Sequence, residues 1–84
     1  MSGRVIPIER GGALRADPAR SYLAAIPELA EAARLDPKDP EPLAHLAYCE
    51  AKLGKLTDAR AHVEAALSLD PNHALARQVK DAIR

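Results

Sequence analysis

The segment Ala32-Ala33-Arg34-Leu35-Asp36-Pro37 returns as Ala66-Leu67-Ser68-Leu69-Asp70-Pro71, so that Pro71 stands 34 residues after Pro37. The match extends upstream, because Ala25 and Leu29 stand 34 residues before Ala59 and Val63. Self-similarity at a fixed period of about 20–50 residues marks an array of stacked supersecondary units. Such units bury their apolar faces against their neighbours in sequence, so the chain is expected to grow along one dimension.

The content of one unit is read most fully over Pro40–His73. Leu43, Leu46, Ala47 and Leu53 recur at three-to-four spacing, the pattern of one helix face. Gly54 follows the last periodic residue, where a left-handed residue ends a helix. Thr57 is positioned to cap the next helix, whose apolar face is Ala59, Val63, Ala66 and Leu67, and Pro71 lies beyond its end. The spacing predicts helices over about 41–53 and 57–69, antiparallel because the link is short.

Upstream, Asp17-Pro18 reads as a cap followed by Pro in the first turn. A helix is predicted from there to about Leu35, with Tyr22, Ala25, Ile26, Leu29 and Ala33 as its stripe. Pro27 interrupts it, so a kink near 23–27 or two short helices is expected. Pro37, Pro40 and Pro42 stiffen the link that follows, and Asp39 is the next candidate cap. Asn72 or His73 then caps a last helix over about 74–83, apolar at Leu75, Val79 and Ile83 and polar at Arg77, Lys80, Asp81 and Arg84. Residues 1–16 carry no helical period and are punctuated by Gly3, Pro7, Gly11 and Gly12. They are expected to form a flexible tail, with Arg4-Val5-Ile6-Pro7-Ile8 as a candidate extended arm.

In these residues the chain resembles the tetratricopeptide repeat family. The large–small pair in the first helix is Leu46-Ala47, the closing glycine is Gly54, the small residue of the helix crossing is Ala59, and Ala66 and Pro71 finish the unit. The resemblance covers 40–73 as a whole repeat and about 22–39 as a second helix alone. It implies an all-α, right-handed superhelical array of antiparallel αα-hairpins. The expected organisation is a tail over 1–16 and a domain over 17–84, comprising a half repeat (17–39), a complete repeat (40–73) and a capping helix (74–84). A closing helix with a polar outer face is expected to end the array. Three departures imply a thin core: Leu43 and Val63 replace larger aromatics, and Glu50 replaces an inward Tyr. A carboxylate at that position must find a partner or reach water.

The resemblance also implies non-catalytic protein–protein interaction, with the first helix of the repeat lining a concave groove. Its outward positions here are Glu41, Ala44, His45, Tyr48, Ala51 and Lys52. Tyr48 is the aromatic anchor, a residue type favoured at interface hot spots. Gln78 and Ala82 of the last helix continue the surface. One subclass of the family grips a C-terminal carboxylate; Ala44, Tyr48, Leu75 and Val79 stand where its polar groups would be needed. The partner is expected to be a peptide or helix of another protein, or a second copy covering the outward side of the first helix. An accessory role in a larger enzyme or secretion assembly is the third possibility.

Composition narrows the remaining classes. Aromatic residues make up 2% of the 84, with no Trp or Phe, so Leu and Ala must form the core. So small a core has little stability to spare, and support from a partner, a second copy or a longer parent chain is expected. Lys+Arg and Asp+Glu are both 12, which gives no net charge to steer the chain to nucleic acid or an anionic membrane. No apolar run reaches the about 18 residues of a spanning helix, and no signal-like segment is seen at the N-terminus. Cys49 is the one cysteine. These features point to a cytoplasmic protein. His45 and Cys49 are four apart, too few ligands for a zinc site, which needs three or four; the reading is a surface His and a buried Cys. His62 and His73 are expected to be solvated. Ser21, Ser68, Thr57 and Cys49 have no base at a productive spacing. Neither enzyme activity, a cofactor nor a metal is expected.

Overall fold

The computed structural model describes residues 18–83, which form four helices: α1 (Pro18–Leu35), α2 (Pro40–Lys52), α3 (Leu56–Leu69) and α4 (Ala74–Ile83). The tail over 1–16 and the cap expected at Asp17 lie outside the described residues. Through Pro27, α1 is a single unbroken helix, so two short helices are not formed. The cost of a mid-helix Pro is the hydrogen bond it cannot donate. Here Leu23, whose carbonyl loses that donor, is 55% exposed, so water can satisfy it.

The connections explain why the chain repeats. The N–H of Asp39 donates to Asp36 O at 3.1 Å, and the N–H of His73 donates to Asp70 O at 3.0 Å. The same Asp-Pro turn is therefore built twice, with Pro at the position whose φ it presets. Asp39 Oδ1 accepts from the N–H of Glu41 at 3.0 Å and caps α2, with Pro40 opening the helix. The α2–α3 link is of another kind. Gly54 adopts φ 82°, its N–H donates to Ala51 O, and the N–H of Lys55 donates to Glu50 O at 2.8 Å. This pair of bonds closes α2 in a Schellman arrangement. The closure uses up the residues before 56, so α3 starts one residue earlier than expected. Lys55 stands at its cap without a side-chain bond. Thr57 sits inside the helix and does not cap it.

Centrally placed, α2 packs on α1, α3 and α4, and α3 also packs on α4. Alanines occupy the crossings: Ala44, Ala47, Ala59, Ala66 and Ala76 are all 0% exposed. Small residues there let helix axes approach closely, which substitutes for the missing aromatic rings. Ala47, Ala59, Val63, Val79 and Ile83 form one buried cluster, and Ala44, Ala66 and Ala76 form a second. From Ala19 to Leu35, no residue of α1 is buried in this way. Its Ala25, Leu29 and Ala32 occupy the repeat positions of Ala59, Val63 and Ala66, yet all three are only half-buried. Among the described helices α2 is the one that packs on α1, whereas α3 is covered by both α2 and α4.

Candidate protein-binding groove

Between the last turns of α2 and α4 lies a groove with a cavity of about 230 Å³, lined by Tyr48, Ala51, Lys52, Leu56, Gln78, Val79, Ala82 and Ile83. Local sequence sets its walls. Val79 and Ile83 are the inward positions of α4 and are buried, so Gln78 and Ala82 are left on the rim, both exposed. Across from them, Ala51 lies one turn beyond buried Ala47, and Lys52 is exposed beside it. Leu56 closes one end of the groove and remains 44% exposed.

Tyr48 joins this groove to the rest of the array. Its ring meets Tyr22 of α1 edge-on at 5.9 Å between centroids and 80° between planes. The Lys52 ammonium stands 5.4 Å over the same ring. The Tyr22 phenol is held above its ordinary pKa, first by its hydrogen bond with Tyr48. Tyr48 is thus half-buried and packed against the core cluster, a groove wall with a structural duty.

Of the six residues expected on the binding face, Tyr48, Ala51 and Lys52 meet in the groove, together with Gln78 and Ala82. Glu41 and His45 are exposed at the other end of α2, 3.4 Å apart, and do not line it. Ala44 is a correction: at 0% exposure it is packed against Ala66 and Ala76. With α2 covered by three helices, its solvent-facing strip is narrower than a one-sided helix would have. Leu56 was not singled out from the sequence, although Tyr22, another large residue, stands 34 positions before it.

Two histidines expected in solvent are instead parts of the frame. His62 Nδ1 donates to Glu50 Oε1 at 2.6 Å, which supplies the partner that the inward carboxylate needs. His73 is 9% exposed. Its Nδ1 accepts from the N–H of Ala76 at 3.3 Å, and its Nε2 donates to Glu41 Oε2 at 2.9 Å. His73 therefore caps α4 and ties it to the start of α2. Its two bonds specify the tautomer with the proton on Nε2.

Cys49 is buried, and its thiol is pushed up in pKa by desolvation and then by the nearby Glu50 carboxylate. His45 is exposed while Cys49 is not. Among the described residues no group of three His, Cys, Asp or Glu side chains is placed to hold a metal ion. Among them, too, no helix is long and apolar enough to cross a membrane.

A family model described as a tetratricopeptide repeat matches residues 19–83. The chain belongs to the tetratricopeptide repeat family. No curated protein and no solved structure matches it significantly. The 34-residue repeat puts α2 and α4 at the family's first-helix position and α1 and α3 at its second. Repeats of this family are in general protein–protein interaction modules and non-catalytic.

Proposed function

We propose that this chain is a non-catalytic adaptor that holds an apolar segment of another protein in the α2–α4 groove. The observation that carries the proposal is the groove itself: two first-type helices lie side by side with small residues, Ala51 and Ala82, on its walls and exposed Leu56 at its end. Ligand pockets for small molecules run to about 300–1,000 Å³, and about 230 Å³ suits side chains better than a cofactor. Seating one Leu-sized side chain contributes about 1.5–3 kcal/mol, so useful affinity needs contacts along the rim as well. The proposal includes a cytoplasmic setting, which suits a chain whose one cysteine is a free, buried thiol.

A groove-filling variant provides the test. Ala82→Arg places a long side chain over the opening at an exposed position, and Ala61→Arg does the same on the opposite, exposed face of α3. In a pull-down from the source cell followed by mass spectrometry, a partner should be retained by wild type and Ala61→Arg and lost by Ala82→Arg. Retention by all three would place binding elsewhere.

One observation favours a second reading, self-assembly. Leu23 and Leu35 on α1 are 55% and 68% exposed, and exposed apolar surface of this kind is commonly a contact site. Recovery of only further copies of the chain would support it.

A further inference from the structure

The groove lies at the end of the bundle where cations gather. Lys52 is in the last turn of α2, and Lys55 follows the Gly54 turn. Arg60 of α3 reaches the same end, because its Nη2 donates to Ile83 O at 3.2 Å. The first turn of α1 with Arg20 is brought there by the Tyr22–Tyr48 contact. At the opposite end stand the acids of the two Asp-Pro turns and of the α2 start, namely Asp36, Asp39, Glu41 and Asp70. Arg34 and Lys38 stand among these acids, so what marks the groove end is its cations without carboxylate partners and not a separation of charge along the helix axes.

The pairing pattern sharpens this. Among the described residues, Glu41 is engaged by His45 and His73, and Glu50 by His62. Lys52 has no carboxylate within ion-pair distance, and its ammonium rests over Tyr48 at the groove wall. Among the described residues Lys55 and Arg60, like Lys52, have no carboxylate partner. Two acids, Asp58 and Asp81, lie toward this end, but neither lines the groove; Asp81 faces the other side of α4 beside Arg77 and Lys80. Among the described residues, Lys52 is the one charged side chain lining the groove.

We infer that the occupant is a protein segment bearing a large aliphatic side chain with a carboxylate side chain next to it. This rests on the adaptor reading above. The aliphatic group fills the floor made by Ala51, Leu56, Val79 and Ile83, and the carboxylate takes the Lys52 ammonium as its partner. Lys55 and Arg60 add a field that attracts an acidic segment before contact is made. Gln78 on the facing rim offers an amide to the segment's backbone.

The test uses three short fluorescein-labelled peptides with blocked termini. Each has a central Leu, flanked by Glu, by Gln or by Lys, and binding to the full chain is followed by anisotropy at low salt. The Glu peptide should bind about twofold to fivefold more tightly than the Gln peptide, the range of an exposed ion pair. That advantage should vanish in Lys52→Gln, reverse in Lys52→Glu, and shrink as salt is added. Ala82→Arg should abolish binding of all three. Equal binding of the three peptides, or preference for Lys, would overturn the inference and leave the groove reading standing. Binding of none, or binding that Ala82→Arg leaves intact, would overturn both. Circular dichroism confirms that each variant is folded; Lys52 and Ala82 are exposed, so neither change reaches the core.

Discussion

Removing His62 tests how this small core tolerates a carboxylate. The Glu50 side chain is 6% exposed and that of His62 is 33% exposed. In His62→Ala the acid stays where it is and loses its partner at 2.6 Å. A hydrogen bond to a charged group contributes about 1.5–3 kcal/mol, and breaking a fully buried pair costs about 3–5 kcal/mol. The third of His62 that is already exposed admits water, so the lower range applies and about 2–3 kcal/mol is expected. For a domain of this size that is a fall in Tm of about 10–20 °C. Glu50→Leu removes the acid instead. The orphaned imidazole turns to the solvent it already touches, and an apolar side chain enters an apolar site, so the net change should stay within about 1 kcal/mol. Urea unfolding followed by circular dichroism measures both. Glu50→Leu added to His62→Ala should recover most of the loss, the signature of coupled neighbours. A His62→Ala cost below about 0.5 kcal/mol, or equal to that of Glu50→Leu, would refute the reasoning.

Other perturbations have equally definite outcomes. Ala59→Leu puts a larger side chain into a crossing with 0% exposure and should cost about 1–3 kcal/mol; an unchanged unfolding midpoint would contradict the α2–α3 packing. His73→Ala removes the α4 cap and should cost about 1–2 kcal/mol, with faster amide exchange at Ala76, and His73→Asn should restore the cap portion. Cys49 in the native chain should resist iodoacetamide at neutral pH, because it is 7% exposed and its thiol is held protonated by burial. With a native value raised above the unfolded one, the stabilising contribution is present below the ordinary thiol range and lost as pH rises through it. Unfolding midpoints of wild type relative to Cys49→Ala should therefore fall above about pH 8.5.

The helices were legible because period and punctuation agree. The recurrence at Pro37 and Pro71 located both Asp-Pro turns, and the stripe Leu75, Val79, Ile83 gave α4 its bounds and its inward face, of which Val79 and Ile83 are buried. Local signals failed where a neighbour decides. Thr57 has a good cap chemistry, but the Schellman closure at Gly54 delivers the chain into α3 before Thr57 is reached. Ala44 looks like a surface residue until α4 is laid against α2. His73 was one of the two caps expected for α4, and its place 34 residues after Asp39, the cap of α2, singles it out over Asn72. The demand of Glu50 for a partner was readable too, but the choice of His62 depends on how α3 rotates against α2. Of the six positions expected on α2, Tyr48, Ala51 and Lys52 line the groove. The groove's depth depends on Val79 and Ile83, whose place opposite them is a product of superhelical stacking.

A photocrosslinking residue introduced at Gln78, with control positions at Ala61 on α3 and Leu23 on α1, tests the central claim most directly in the source cell. All three sites are exposed. If the α2–α4 groove holds a partner, irradiation should give an adduct to another protein from Gln78 and none from Ala61, with the crosslinked peptide containing an aliphatic residue beside an acid. No adduct from Gln78, together with a self-adduct from Leu23, would contradict the account and make the outer face of α1 the working surface of the chain.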